Sequence, residues 1–166
     1  MIKPKTEKPE KTEAAVKAAV VTPAYYYAIG RRKEATARVR LYVLVNEQSV
    51  VVGGKTYEKG QIVVNDKVVE EYFPGEVAKH TYLEPFRTTN TLNRFVTTVK
   101  VEGGGLLGQL TAVIHGVSRA LIKVDDTKNR PILKKRGFLT RDPRAKQRRK
   151  AGYAHKARKK KQSPKR

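Results

Sequence analysis

From Thr36 onward, apolar and polar residues alternate. Ala37, Val39, Leu41, Val43 and Val45 fall on one side, and Thr36, Arg38, Arg40 and Tyr42 on the other. A period of two predicts a strand with one buried face and one open face carrying two arginines. The run SVVVGGKTYEKGQIVVND follows. Its Gly53-Gly54 pair between two β-rich runs predicts a hairpin, Ile62–Val64 a further strand, and Asn65-Asp66 a turn. Phe73-Pro74-Gly75 ends whatever precedes it. Residues 76–92 mix helical spacing with Pro85, which predicts one or two short helices. Arg94–Glu102 alternates again, with Phe95, Thr97, Val99 and Val101 on one face, and runs into Gly103-Gly104-Gly105.

The clearest helix comes next. Leu106, Leu110, Val113, Val117, Leu121 and Val124 recur at three- and four-residue spacing. Asp126-Thr127 opens a last short helix over Lys128 to Arg136, with Pro131 tolerated in its first turn and Gly137 as the stop. The order of strands, short helices, strand, long helix and short helix predicts a small α+β domain with helices against one face of a mixed β-sheet. Order is expected from Tyr25, so the chain divides into an extension (1–24), a domain (25–133) and a tail (134–166).

Charge sharpens that division. The net charge is +22, and residues 134–166 hold sixteen Lys and Arg against one Asp. Such a segment cannot collapse on itself in water, because repulsion opposes it and it has few apolar groups to bury. A polyanion is the partner it fits. Residues 1–24, rich in Lys, Glu, Ala and Pro, read as a disordered tether or solubilising extension. Their Lys and Glu interrupt any apolar core a signal peptide needs. With no Cys there is neither a disulfide framework nor a Cys-based zinc site, and no apolar run approaches a membrane span.

The inventory for catalysis is thin. His80, His115 and His155 lie far apart without metal-ligand spacing, and Ser49, Ser118 and Ser163 lack a nucleophile context. Glu70-Glu71 and Asp125-Asp126 are adjacent, so on a helix they do not face one another; surface or capping roles suit them. GGGLLG at 103–108 opens a helix, but no Lys-Ser/Thr follows and the dinucleotide-binding spacing fails. It is left as a close-packing turn or a seat for one nucleic-acid phosphate. No catalytic residue, metal or cofactor is expected, and no small-molecule substrate or membrane partner.

Basic residues form two constellations. In GRRKEATARVR, Arg31, Arg32 and Lys33 follow a glycine-led turn, and Arg38 and Arg40 share the open strand face. Arginines on a rigid element make bidentate phosphate contacts at low entropic cost; a solvated strand is the alternative. The tail is the second. Phe138, Tyr153, two Gly and two Pro punctuate it. Pro143–Ala151 would form a helix only once phosphates neutralise it. Asp142 would orient Arg141 or Arg144. Phe138 and Tyr153 would stack on bases or sugars, or Phe138 would anchor the tail to the domain. Arg136, Arg148, Arg149, Lys150, Arg158, Lys159, Lys160 and Lys161 would follow phosphates. On the long helix, His115, Arg119 and Lys123 repeat every four residues away from the apolar stripe, as a solvated face or a phosphate-binding stripe.

The ordered series GRRKxATARVRL, IVVNDK…EEYFP, VxGGGLLGQxxAVxHGVSRAL and GFLTRDPRxKxRRKxG, closed by Lys-Arg, closely resembles the bacterial small-subunit ribosomal protein nine family from Tyr25 to Arg166. The resemblance implies a mixed sheet with a left-handed βαβ crossover and a long extended basic tail. It implies a cytoplasmic place in the head of the small ribosomal subunit, on the 3′ major domain of its rRNA and beside neighbouring head proteins. By motif, Arg31, Arg32, Lys33, His115, Arg119, Arg141 and Arg144 become rRNA contacts. The tail would thread the RNA so that Lys165 and Arg166 approach the anticodon stem-loop of P-site tRNA. Three features depart from the pattern: the 1–24 extension, a longer Val45–Gly60 hairpin, and QSPKR, where the family places Ser directly before Lys-Arg. Pro164 there fixes φ and removes a donor. Composition alone would equally admit a DNA-compacting protein, but the Gly, aromatic and RDPR punctuation of the tail argues against low-complexity packing.

Overall fold

The computed structural model describes residues 24–44 and 49–148. Seven strands and four helices follow in chain order: β1 (Tyr25–Arg32), β2 (Ala35–Val43), β3 (Ser49–Val52), β4 (Lys55–Glu58), β5 (Ile62–Val64), β6 (Lys67–Val68), α1 (Val69–Tyr72), α2 (Glu76–Thr88), β7 (Phe95–Glu102), α3 (Leu106–Val124) and α4 (Asp126–Lys135). The main sheet has the order β1-β2-β7-β5-β6. It is mixed: β5 runs parallel to β7, and the other neighbours are antiparallel. A crossover through β6, α1 and α2 joins the parallel pair. Asn65 lengthens that pairing beyond the short β5, since its side chain donates to the Val101 carbonyl at 3.0 Å and accepts the Val101 N–H at 2.9 Å.

Helix α3 lies on β1 and β2, and Ala37, Val39 and Leu41 meet its buried stripe of Leu110, Val113, Val117 and Leu121. Gly30 permits the close approach. It lies inside β1 rather than leading a turn, and a Cβ there would fall onto the Ala112 carbonyl and the backbone of Gly116. The turn comes later, with Lys33 at φ +52°, so Arg31 and Arg32 belong to the strand. Gly103 and Gly104 also serve packing, because side chains there would strike Glu34 and Ala35.

Of the one or two short helices expected over residues 76–92, one forms, α2, with Pro85 in its last turns and buried against the core. Tyr42 does share a face with Arg38 and Arg40, but that face is open only at the two arginines, and Tyr42 is buried. The β3–β4 hairpin, turning through Gly53 (φ +59°) and Gly54 (φ +81°), brings Val50 and Tyr57 onto Tyr42, Leu44, Val63 and Val96. Strand alternation finds which side a residue faces, whereas only the fold decides what covers that side. Helix α4 begins at Asp126, two residues before the expected Lys128, and Asp125 caps it: its side chain accepts the Lys128 N–H and is thereby held below its ordinary carboxylate pKa. It ends in a Schellman motif. Gly137 (φ +77°) donates to Lys134, and Phe138 donates to the Leu133 carbonyl.

Residues 1–23, Val45, and the tail from Arg149 onward, including the far end of the expected Pro143–Ala151 helix, lie outside the described residues. Residues 143–148 carry no helix.

Candidate nucleic-acid interface

Strand β1 is an edge of the main sheet, so alternate backbone groups on its outer side have no ladder partner. Three side chains of α3 supply them. The Lys123 ammonium donates to the Tyr27 carbonyl at 2.7 Å, and the Arg119 guanidinium to the Ile29 carbonyl at 2.6 Å. His115 Nδ1 accepts the Arg31 N–H at 3.3 Å. Helix residues four apart advance about 6 Å and strand residues two apart about 6.6 Å, so the two rows stay in step along antiparallel elements. The stripe at 115, 119 and 123 is therefore a seam along the sheet edge. Arg119 and Lys123 remain solvent-exposed, with further N–H donors beyond the bonds they make.

His115 sits half-buried at the end of this seam. Burial holds its imidazole below the ordinary histidine value, and the Arg119 charge acts the same way, as does that of Arg141; the Leu139 carbonyl opposes them. An Nδ1 that accepts from Arg31 leaves the proton on Nε2.

The root of the tail lies against the same edge. Phe138 and Leu139 pack on the main core. Asp142 then meets Arg32 at 2.9 Å and chelates Arg144, whose Nε and Nη2 reach the carboxylate at 3.0 and 2.7 Å. Arg32 Nη1 also donates to the main-chain carbonyls of Asp142 (3.3 Å) and Arg144 (2.8 Å). The Arg144 side chain and its N–H, with the charge of Arg32 behind them, hold the Asp142 carboxyl far below the usual range. Of the two arginines the sequence offered as partners of Asp142, the structure selects Arg144, and it adds Arg32 from 110 residues away. Arg141 is exposed.

The helix-free face carries a separate cationic set. Arg38 pairs across strands with Lys100, and Arg40 with Thr98. With the hairpin they border a cavity of about 400 Å³. Arg38 meets Glu102 at 3.4 Å, and the Arg40 guanidinium lies 5.3 Å from the centre of the Tyr25 ring. Lys100 was missed in the sequence, although its alternation with Val99 and Val101 puts it on this face. Lys33 projects from the β1–β2 turn, and Arg136 reaches Glu84 at 3.6 Å. Arg148 is exposed; Arg149, Lys150, Tyr153, Arg158, Lys159, Lys160, Lys161, Lys165 and Arg166 lie outside the described residues. Among the described residues there is no cluster able to hold a metal ion and no helix long and apolar enough to cross a membrane.

A small α+β domain with cations on both sides of its sheet and a strongly basic C-terminal segment defines a protein built to lie against a polyanion. The family model described as ribosomal protein S9/S16 matches residues 30–166. The chain is also 41% identical, over 174 aligned positions covering 99% of it and 98% of its relative, to the small ribosomal subunit protein uS9 of Rickettsia felis. The chain belongs to the ribosomal protein S9 family. It is a structural constituent of the small ribosomal subunit rather than an enzyme. Its setting is the cytoplasm, and its partners are ribosomal RNA and neighbouring ribosomal proteins.

Proposed function

We propose that this protein braces the 3′ major domain of rRNA in the subunit head, and that the end of its tail contacts the anticodon stem-loop of P-site tRNA. One observation carries the rRNA reading. Cations from three distant parts of the sequence converge along one edge: Arg31 and Arg32 on β1, Arg119 and Lys123 on α3 beside the neutral imidazole of His115, and Arg141 and Arg144 at the tail root. Lys33, in the turn after β1, extends that surface, and Arg136 at the end of α4 adds a separate contact. Arg38, Arg40 and Lys100 form a second one under the hairpin. The extension 1–24, the domain 25–133 and the tail 134–166 divide the work. The domain seats on the RNA with a left-handed β5–β7 crossover, while Arg148, Arg149, Lys150, Arg158, Lys159, Lys160 and Lys161 track phosphates and Tyr153 stacks. Lys165 and Arg166 reach the tRNA.

The test is a salt titration of binding to a transcript of that rRNA domain, for the full chain and for a chain ending at Arg144. The truncation removes eleven Lys and Arg. For every phosphate the shorter chain no longer neutralises, the plot of log affinity against log salt should flatten by about 0.7–0.9. An unchanged slope refutes the tail's part in binding, and equal affinity for duplex DNA would favour general polyanion packing.

A further inference from the structure

Asp142 is the single acid among the last 33 residues, and the fold gives it two arginines at once. The Arg32 and Asp142 side chains are largely covered, at 15% and 29% exposure, whereas Arg144 stays 83% exposed. Arg32 also closes on two tail carbonyls. Just upstream, the Schellman turn at Gly137 and the packing of Phe138 and Leu139 fix the chain. Without the carboxylate, the Arg32 guanidinium would lie beside the Arg144 cation with only the two tail carbonyls to offset the repulsion.

We propose that Arg32, Asp142 and Arg144 form a clasp that sets the direction in which the basic tail leaves the domain before RNA is met, with Asp142 as a positioning residue for RNA binding. Domain and tail are two binding modules joined by a short root, so the second engages at an effective concentration set by that root's geometry. A fixed exit raises it. The clasp also spends two Arg144 donors on Asp142 and leaves the rest of that guanidinium facing solvent, where it meets a phosphate already oriented. This proposal rests on the rRNA reading above.

The sign of one substitution decides it. Neutralising Asp142 removes a negative charge from a polyanion-binding surface, so simple electrostatics predicts tighter RNA binding. The clasp predicts weaker binding. Asp142→Asn in the full chain should bind the rRNA transcript about two- to tenfold more weakly, the cost of ordering one or two long side chains on binding. In the RNA-free protein, backbone ¹⁵N relaxation should show reduced order at residues 141–145, and trypsin should cut after Arg141 and Arg144 faster. Arg32→Gln should loosen the same residues, with little added by the double substitution. Relaxation unchanged in Asp142→Asn overturns the clasp. Reduced order with RNA affinity unchanged or raised overturns its positioning role. Should the unaltered chain fail to bind the transcript, the rRNA reading falls and the positioning role with it, while the relaxation data still decide the clasp.

Discussion

Arg119 on α3 donates to the main-chain carbonyl of Ile29 on the edge strand β1, ninety residues away, at 2.6 Å. A side chain read from helical spacing as an outward stripe thus closes the sheet edge while keeping donors for a phosphate. Arg119→Met should lower stability by about 1 kcal/mol, the net worth of one such bond. Arg119→Lys should restore most of it, as Lys123 makes the equivalent bond to Tyr27. Urea midpoints of the three proteins check this, and a Met variant as stable as the parent would deny the seam a structural role.

His115 couples that seam to pH. Its folded-state pKa is lowered, chiefly by burial, from the usual value near 6.5. The native state therefore binds fewer protons than the unfolded one between the two values, and stability rises with pH through that window. The contribution is full above about pH 6.5 and is lost as pH falls toward the folded value. Protonation of Nδ1 would also remove the acceptor for the Arg31 N–H. His115→Gln, whose amide oxygen can still accept, should flatten the stability profile between pH 7.5 and 5.5. An identical pH slope in both proteins would exclude His115 as its source.

Gly30 should tolerate no side chain. A Cβ there meets the α3 backbone rather than a movable side-chain end, so relief requires separating strand and helix. Gly30→Ala should cost about 3 kcal/mol through overpacking. Gly53→Ala in the hairpin turn meets no neighbour and should cost only the strain of its positive φ. Thermal unfolding of the pair separates steric conflict from backbone strain: equal losses would contradict the close approach of β1 to α3.

Removing Lys165 and Arg166 should weaken tRNA binding in the P site of reconstituted small subunits while leaving their assembly intact. Filter binding of tRNA and sedimentation of the particles give the two readouts. Full tRNA affinity after the deletion would disprove the tail-end contact.

The alternation of β2 and β7, the stripe of α3 and the glycine turns were legible because each follows from a local period or a backbone conformation that neighbours in sequence determine. Those signals, with the uneven charge, were enough for an α+β domain with a polyanion partner. The run of motifs from Gly30 to the RDPR stretch was enough for the family. Other features were set by pairs remote in sequence. Tyr42 belongs to a second core because a hairpin further along the chain folds over it. Gly30 reads as a turn until Gly116 is seen against it. The lone Asp142 could be assigned to a neighbouring arginine, but its bond to Arg32 exists only because α4 returns the chain to the end of β1. Periodicity reports the face a side chain takes, since that depends on φ and ψ alone. What covers the face, and which distant charge answers it, depends on how the elements close on one another, and only the tertiary structure decides that.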